Sequence, residues 1–254
     1  MTMLHFDSTV YGPVHSRRFG SSLGVNLLPP EGKLCNFDCI YCECGWNRDN
    51  VTGRRFPSPE EFGRSLKTAL EHVSENGIHV DSITFSGNGE PTLNPCFPET
   101  VGIACSLRDA LAPSAKITVL SNATTCGRPE ILEALKKADN PVMKIDAAAQ
   151  QFVPMISRPS GNYDLDRVVS DLEAFNGDFV LQTMFLRSGT FDTADPANLE
   201  AWYGIVRKLK PREIMAYSIA RETPQKGLRG YSADEIRRFV QPLADEGFSI
   251  MVTA

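Results

Sequence analysis

Three cysteines stand close together near the amino end of the sequence, at Cys35, Cys39 and Cys42. Thiolates at this spacing can share one soft metal centre, and cysteine-rich loops of this kind hold iron–sulfur clusters or zinc. A closed structural zinc site needs four ligands, which Cys44 would complete. Three thiolates on a cubane instead leave one iron open to a ligand. The loop therefore predicts either a reactive iron–sulfur centre or a zinc-stabilised binding module.

A second candidate site is the segment Ser86-Gly87-Asn88-Gly89-Glu90-Pro91-Thr92-Leu93, which directly follows a predicted strand. Glycines at the carboxyl end of a strand let the backbone approach a ligand closely and leave its N–H and C=O groups free to bind it. An ordinary glycine-rich turn is the alternative, but it does not account for the Glu-Pro pair behind the glycines. The segment therefore predicts a ligand-binding turn.

Polar residues also follow the next two predicted strands, Ser121 and Asn122 after one and Lys144 and Asp146 after the other. Because the carboxyl ends of parallel strands face one opening, we expect these side chains to lie near the segment that contains Glu90. Asn122 and Asp146 suit hydroxyl groups, and Lys144 suits an anionic group. A turn-forming asparagine and an exposed lysine are the simpler alternatives.

Further side chains near the predicted strand ends are candidates for substrate binding. Several arginines near one opening suggest an anionic group on the substrate, such as a carboxylate or phosphate, although exposed arginines without a role are the alternative. We expect the segment of Arg17 and Arg18 to close over the opening. The candidates are Arg17, Arg18, Arg158, Gln182, Tyr217 and Arg221.

The elements that must position these residues alternate short β-branched runs with segments of helical period, as in α/β proteins with a parallel sheet. Six strand–helix units follow residue 23, and they predict either an open doubly wound sheet or a curved, incomplete barrel. We expect residues 1–22 to form an N-terminal appendage and residues 23–254 one domain. The predicted strands are 24–28, 80–85, 115–120, 141–146, 178–185 and 213–219, with a closing strand at 248–253.

Composition narrows the class of protein. The chain has 254 residues, of which 42% are hydrophobic and 22% charged, enough for one compact core. Its net charge of −5 argues against a broad nucleic-acid-binding surface, which needs clustered Lys and Arg. No run approaches the roughly 20 apolar residues of a membrane span, and the first ten residues lack a signal-peptide apolar core, so we expect a cytoplasmic protein without membrane partners.

The two motifs together resemble the radical S-adenosylmethionine (SAM) superfamily. The C-x3-C-x2-C spacing, with Tyr41 before the third cysteine, is similar to its cluster loop, and the turn at Glu90 is similar to its Gly-Gly-Glu-Pro motif, with Asn88 in place of a glycine. The resemblance implies one [4Fe–4S] cluster on Cys35, Cys39 and Cys42 that cleaves SAM, reduced by a donor such as flavodoxin or ferredoxin. The implied cofactor contacts are Tyr41, Gly87, Asn88, Gly89, Glu90, Pro91, Ser121, Asn122, Lys144 and Asp146.

Longer blocks of the sequence resemble one compact group within that superfamily, Fe–S oxidoreductases similar to tRNA wyosine synthases. These blocks are residues 11–28, 144–146, 157–159 and 181–185. The fold implied is a partial (βα)6 barrel. Archaeal wyosine synthases also use cysteines upstream of this loop, whereas this chain has none before Cys35, and the acidic charge disfavours tRNA. We therefore expect an unidentified substrate, with a glycyl-radical-enzyme activase as the alternative enzyme.

Overall fold

The core of the protein is a curled sheet of parallel strands in chain order. The computed structural model describes residues 4–47 and 55–254. The strands are β1 (Val10–Ser16), β2 (Gly20–Asn26), β3 (Ser82–Ser86), β4 (Lys116–Ser121), β5 (Asn140–Lys144), β6 (Val180–Arg187), β7 (Glu213–Ser218), β8 (Arg229–Gly230) and β9 (Ile250–Thr253). Strands β2 to β7 and β9 are parallel, with β1 antiparallel on β2 and β8 antiparallel on β6. The predicted partial (βα)6 barrel is thereby confirmed.

Helices connect the parallel strands. They are α1 (Pro59–Glu75), α2 (Phe97–Leu111), α3 (Pro129–Lys137), α4 (Val153–Ile156), α5 (Leu165–Leu172), α6 (Pro196–Leu209) and α7 (Ala233–Asp245). Capping boxes at Ser58 and Ser232 fix where α1 and α7 begin. Helix α2 begins after Cys96, and its buried face carries Thr100 and Ala104 beside Phe97 and Val101. Among the described residues, no helix has the length and apolar character that crossing a membrane requires.

The outer face of the sheet packs on these helices through aromatic side chains. Phe85 of β3 lies between Phe62 of α1 and Phe97 of α2, with ring centroids 5.8 and 6.1 Å apart. All three rings are fully buried. Rings at these separations and tilts pack favourably beyond the area that they bury. This layer holds the strands whose carboxyl ends carry the candidate site.

The amino-terminal residues are an integral part of the sheet. Strand β1 forms a hairpin with β2, so the predicted boundary after residue 22 falls within β2. The hairpin turn, residues 17–19, lies at the amino ends of the strands, because Gly20 and Ser21 adjoin Asp81 just before β3. The expectation that this segment closes over the opposite, carboxyl-end opening was therefore wrong.

Phe19, at the tip of this hairpin, fills the amino end of the barrel interior. It packs on Val142, Val180 and Met215, which project inward from β5, β6 and β7. Their strand neighbours, such as Met143 and Leu181, face the outer core instead, as strand alternation requires. The hairpin thus closes one end of the barrel interior.

Replacing Phe19 by alanine should lower the free energy of unfolding by about 2–3 kcal/mol, somewhat less than for a fully buried phenylalanine, because Phe19 is only partly enclosed. Val14→Ala on the same hairpin is the control, since Val14 is 48% exposed and should change stability by about 0.5 kcal/mol or less. Urea unfolding measures both variants. Equal losses of unfolding free energy in the two variants would show that Phe19 does not stabilise the amino end of the barrel interior.

Candidate functional site

The cysteine loop follows β2 and rests on the turn after β3. Leu34 N–H donates to Asn88 O at 2.7 Å, and Glu90 N–H donates to Leu34 O at 3.1 Å. This contact requires a glycine at position 89, where φ is +137° and a Cβ atom would lie 2.0 Å from Leu34 O. The two sequence motifs therefore form one unit, joined by backbone hydrogen bonds.

The cysteine sulfurs lie among hydrogen-bond donors. Cys35 Sγ lies 3.4 Å from Phe37 N and 3.7 Å from Asn122 Nδ2. Cys39 Sγ lies 3.5 Å from Lys144 Nζ. Burial raises the pKa of both thiols, and for Cys39 the Lys144 ammonium opposes that effect. Donors of this kind stabilise thiolates that bind a metal centre.

Lys33 brings a second buried ammonium to the loop. Its residue is 4% exposed, and Nζ donates to Asp38 Oδ1 at 2.9 Å and to Gly45 O at 3.0 Å. Burial acts to lower the pKa of Lys33, but the Cys42, Cys35 and Cys39 sulfurs and the hydrogen bond to Asp38 together raise it. A protonated lysine therefore lies beside the cysteines, and its positive charge would offset the negative charge of thiolates.

The sulfur positions do not match a closed zinc site. Across residues 4–47 and 55–254, no three His, Cys, Asp or Glu side chains approach closely enough to ligate one ion. A tetrahedral zinc ion needs all its ligands within about 2.3 Å of a single point. A cubane binds each cysteine through a different iron, so its sulfurs lie further apart.

A cavity of about 230 Å³ opens beside the cysteines at the carboxyl ends of the strands. Residues from both motifs and from β4 to β7 converge on it, as the sequence predicted for strand ends. The predicted site residues that line it are Arg18, Cys35, Cys39, Tyr41, Cys42, Gly87, Gly89, Glu90, Ser121, Asn122, Lys144, Gln182, Tyr217 and Arg221.

Glu90 is a buried carboxylate of this cavity, and it is 2% exposed. Oε1 accepts hydrogen bonds from Thr92 and Ser121, whereas Oε2 accepts one from Asn122 N–H at 2.7 Å. Burial raises the pKa of Glu90, and these hydrogen bonds partly oppose it. Because each carboxylate oxygen has two lone pairs, Oε2 retains capacity for a cationic donor.

Several predicted cofactor contacts are instead engaged with the protein. The Asn88 side chain binds the backbone of Phe6 through both its oxygen, at 3.0 Å, and its nitrogen, at 2.9 Å. Asn88 and Pro91 do not line the cavity. The Asn122 amide donates to Asn36 Oδ1 at 2.7 Å and so holds the cysteine loop. Contact of Asn88 and Pro91 with the cofactor stays a prediction, because the structure shows only their partners within the protein.

Asp146 lies behind the cavity wall and anchors two residues of the site. Its Oδ2 accepts from Tyr41 Oη at 2.5 Å and from Lys144 Nζ at 2.7 Å, and its Oδ1 accepts from Met184 N–H at 3.0 Å. The Asp146 side chain is fully buried. It therefore positions Tyr41 and Lys144, and a direct contact between Asp146 and a ligand stays a prediction.

The predicted arginines separate into different environments. Arg18 and Arg221 reach the cavity, and Arg221 pairs with Glu43. Arg17 lines a neighbouring cavity of the barrel interior. Arg158 lies outside both cavities. Its guanidinium carbon is 4.9 Å from the centroid of the Trp46 ring, and its Nη2 donates to Gln225 Oε1 at 2.9 Å.

Sequence reasoning missed the contributions of Lys33, Asp38 and Glu43. Each occurs in or beside the cysteine loop, where a charged residue looks the same in sequence whether it is solvated or buried. The one available signal was the presence of Lys33 two residues before Cys35.

Comparisons with known proteins agree with this geometry. The family model described as "Radical SAM superfamily" matches residues 32–186, more than half of the chain. A UPF0026 protein of Synechocystis sp. is 30% identical over 233 residues, which cover 87% of this chain and 79% of that protein. A Brachyspira hyodysenteriae protein named GTPase Obg is 28% identical over 234 residues, which cover 90% of this chain and 32% of that protein. This chain thus spans about a third of the latter's length.

Solved structures share the fold at low sequence identity. Streptococcus suis SuiB bound to its precursor peptide SuiA aligns with a TM-score of 0.63 at 15% identity, covering 88% of this chain and 47% of that one. Archaeal TYW1 aligns with a TM-score of 0.55 at 12% identity, covering 88% of this chain and 71% of that one. At these identities the likeness concerns the fold.

Asp146→Asn should lower the free energy of unfolding by about 3–5 kcal/mol, because it leaves the Lys144 ammonium buried without its counter-ion. Asp234→Asn is the matched control. It breaks an exposed pair with Arg237, whose loss should cost about 1 kcal/mol or less. Urea unfolding of the two variants measures the difference, and similar losses would show that the Asp146 pair does not anchor the site.

Proposed function

This chain belongs to the radical SAM superfamily, and from that premise we propose that it binds one [4Fe–4S] cluster and SAM and acts on a substrate in the barrel interior. When bound, the reduced cluster cleaves SAM to methionine and a 5′-deoxyadenosyl radical that abstracts hydrogen from the substrate. The observation that carries the proposal is the backbone contact between Leu34 and the turn at Glu90, which brings the cysteine loop and a buried carboxylate to one cavity.

Different residues of the chain bind the cluster and compensate its charge. The thiolates of Cys35, Cys39 and Cys42 hold the cluster. Lys33 and Lys144 offset its negative charge from two sides, since each lies next to the cysteine sulfurs.

Glu90 Oε2 is suited to accept a hydrogen bond from the amino group of SAM, because a carboxylate in a buried site binds an ammonium strongly. Tyr41, held by Asp146, forms the aromatic part of the cavity wall beside the cysteines. These residues bind and orient, and the cofactor supplies the radical.

The partners that this function needs follow from its chemistry. An electron donor such as flavodoxin or ferredoxin reduces the cluster. The net charge of −5 disfavours tRNA as the substrate.

Replacing Cys35, Cys39 or Cys42 by alanine should abolish cluster binding, because each thiolate holds a separate iron. Anaerobically reconstituted wild-type protein should be brown and carry about four irons. Cys44→Ala is the control and should retain the iron, since three thiolates suffice. Elemental analysis measures the iron and zinc content of each protein. Stoichiometric zinc without iron in the wild type would contradict the proposal.

Glu90→Gln should raise the dissociation constant of SAM about tenfold or more, because the substitution removes the charge of a hydrogen-bond acceptor worth roughly 1.5–3 kcal/mol. Gln keeps the side-chain shape and one acceptor oxygen. The control is Glu99→Gln in the first turn of α2, an exposed carboxylate outside the cavity. Equilibrium dialysis with SAM measures affinity, and iron content checks the cluster. Unchanged affinity with the cluster intact would show that Glu90 does not contact SAM.

A further inference from the structure

A second cavity in the barrel interior adjoins the cavity of the cysteines. It has a volume of about 630 Å³ and extends between the hairpin and the inner faces of β2 and β3. The two share several lining residues, namely Arg18, Glu43, Cys44, Gly87, Leu120, Ala220 and Arg221. One wall carries hydroxyl groups, with Ser22 Oγ 2.7 Å from Thr84 Oγ1 and Tyr11 Oη 3.0 Å from Ser86 Oγ. This polar space is of the size that holds small organic ligands.

Arg18 enters this space from the closed end. Its guanidinium carbon lies 4.8 Å from the centroid of the Tyr217 ring and 5.6 Å from that of Phe19. The two rings hold the guanidinium inside the barrel, and Phe19 anchors the turn that carries it. Arg18 is therefore positioned by the fold rather than free to swing into solvent.

Within the described part of the chain, two hydrogen-bond donors in the cavity of the cysteines have no acceptor. In the part of the chain that the structure describes, three buried side-chain atoms lack a hydrogen-bond partner: Arg18 Nη1, Gln182 Nε2 and Asn47 Oδ1. The first two line the same cavity as the cysteines. Gln182 is only 5% exposed, and it projects from β6 into the interior. Leaving a buried donor unpaired costs about 1–3 kcal/mol, and more for a charged group.

The other cations of the cavity have carboxylate partners. Lys33 pairs with Asp38, Lys144 with Asp146, and Arg221 with Glu43. Among residues 4–47 and 55–254, no carboxylate pairs with Arg18 within 4.0 Å. The positive charge of Arg18 is thus available to a ligand.

We propose that Arg18 Nη1 and Gln182 Nε2 bind an oxyanion group of the substrate, a carboxylate or a phosphate. A guanidinium and an amide that both donate into one cavity match an acceptor with several lone pairs and a negative charge. The assignment of this group to the substrate rests on the proposed function. The carboxylate of SAM has the same chemistry, so the experiment must separate the two sources.

The test measures binding of two probe anions, inorganic phosphate and acetate, to reconstituted protein. The melting temperature is followed against anion concentration at constant ionic strength made up with chloride, without and with saturating SAM. The rise in melting temperature gives a dissociation constant for each protein relative to its own baseline. At least one anion should stabilise the wild type under both conditions.

Arg18→Gln and Gln182→Leu should each weaken that binding at least tenfold, and Arg237→Gln, at an exposed arginine on α7, should leave it unchanged. Gln182→Leu keeps the test valid if Arg18→Gln disturbs the hairpin. Anion binding that disappears when SAM is present would overturn the proposal by assigning the donors to SAM. Binding insensitive to both variants, or absent in the wild type, would overturn it as well. SAM cleavage by the wild type is measured separately, so a failure of the proposed function can be told apart.

Discussion

The structure depends on one close backbone contact, between Leu34 in the cysteine loop and the turn from Asn88 to Glu90. Two hydrogen bonds fix this contact, and only a glycine at position 89 leaves room for it. It sets the cysteine sulfurs at a defined position relative to the Glu90 carboxylate. A displacement of this loop would change the distance between the cysteine sulfurs and Glu90, and positioning at such sites tolerates little displacement.

Charge is the second organising feature of the site. Lys33 is buried and Lys144 is largely enclosed beside cysteine sulfurs, and each is paired with an aspartate. Buried ion pairs contribute little net stability compared with apolar packing of the same volume, so they are better explained by what they surround. A thiolate-bound cluster is such a group, since its negative charge needs nearby cations and hydrogen-bond donors. Arg18 differs from these lysines because no carboxylate among the residues that the structure describes pairs with it.

Much of this arrangement could be predicted from the sequence, because strand patterns and motif spacing are local. The closing strand, predicted at residues 248–253, is observed as Ile250–Thr253, and the turn at Glu90 was placed correctly after its strand. The hairpin was missed because β1 contains Gly12 and Pro13 among polar residues, and glycine and proline are both depleted in β-strands. The protein partners of Asn88 and Asp146 could not be predicted, because local sequence does not say whether a polar side chain turns toward the backbone of Phe6 or toward the Tyr41 hydroxyl.

The central claim is that SAM binds the open iron of a cluster on the cysteine loop. Its most direct test is the electron paramagnetic resonance spectrum of the dithionite-reduced protein, recorded without SAM and with SAM that carries ¹⁵N in its amino group. The account predicts a [4Fe–4S] signal that changes when SAM is added and a hyperfine coupling from the labelled nitrogen to the cluster. A reduced-cluster signal that SAM leaves unchanged, with no coupling to the label, would contradict it.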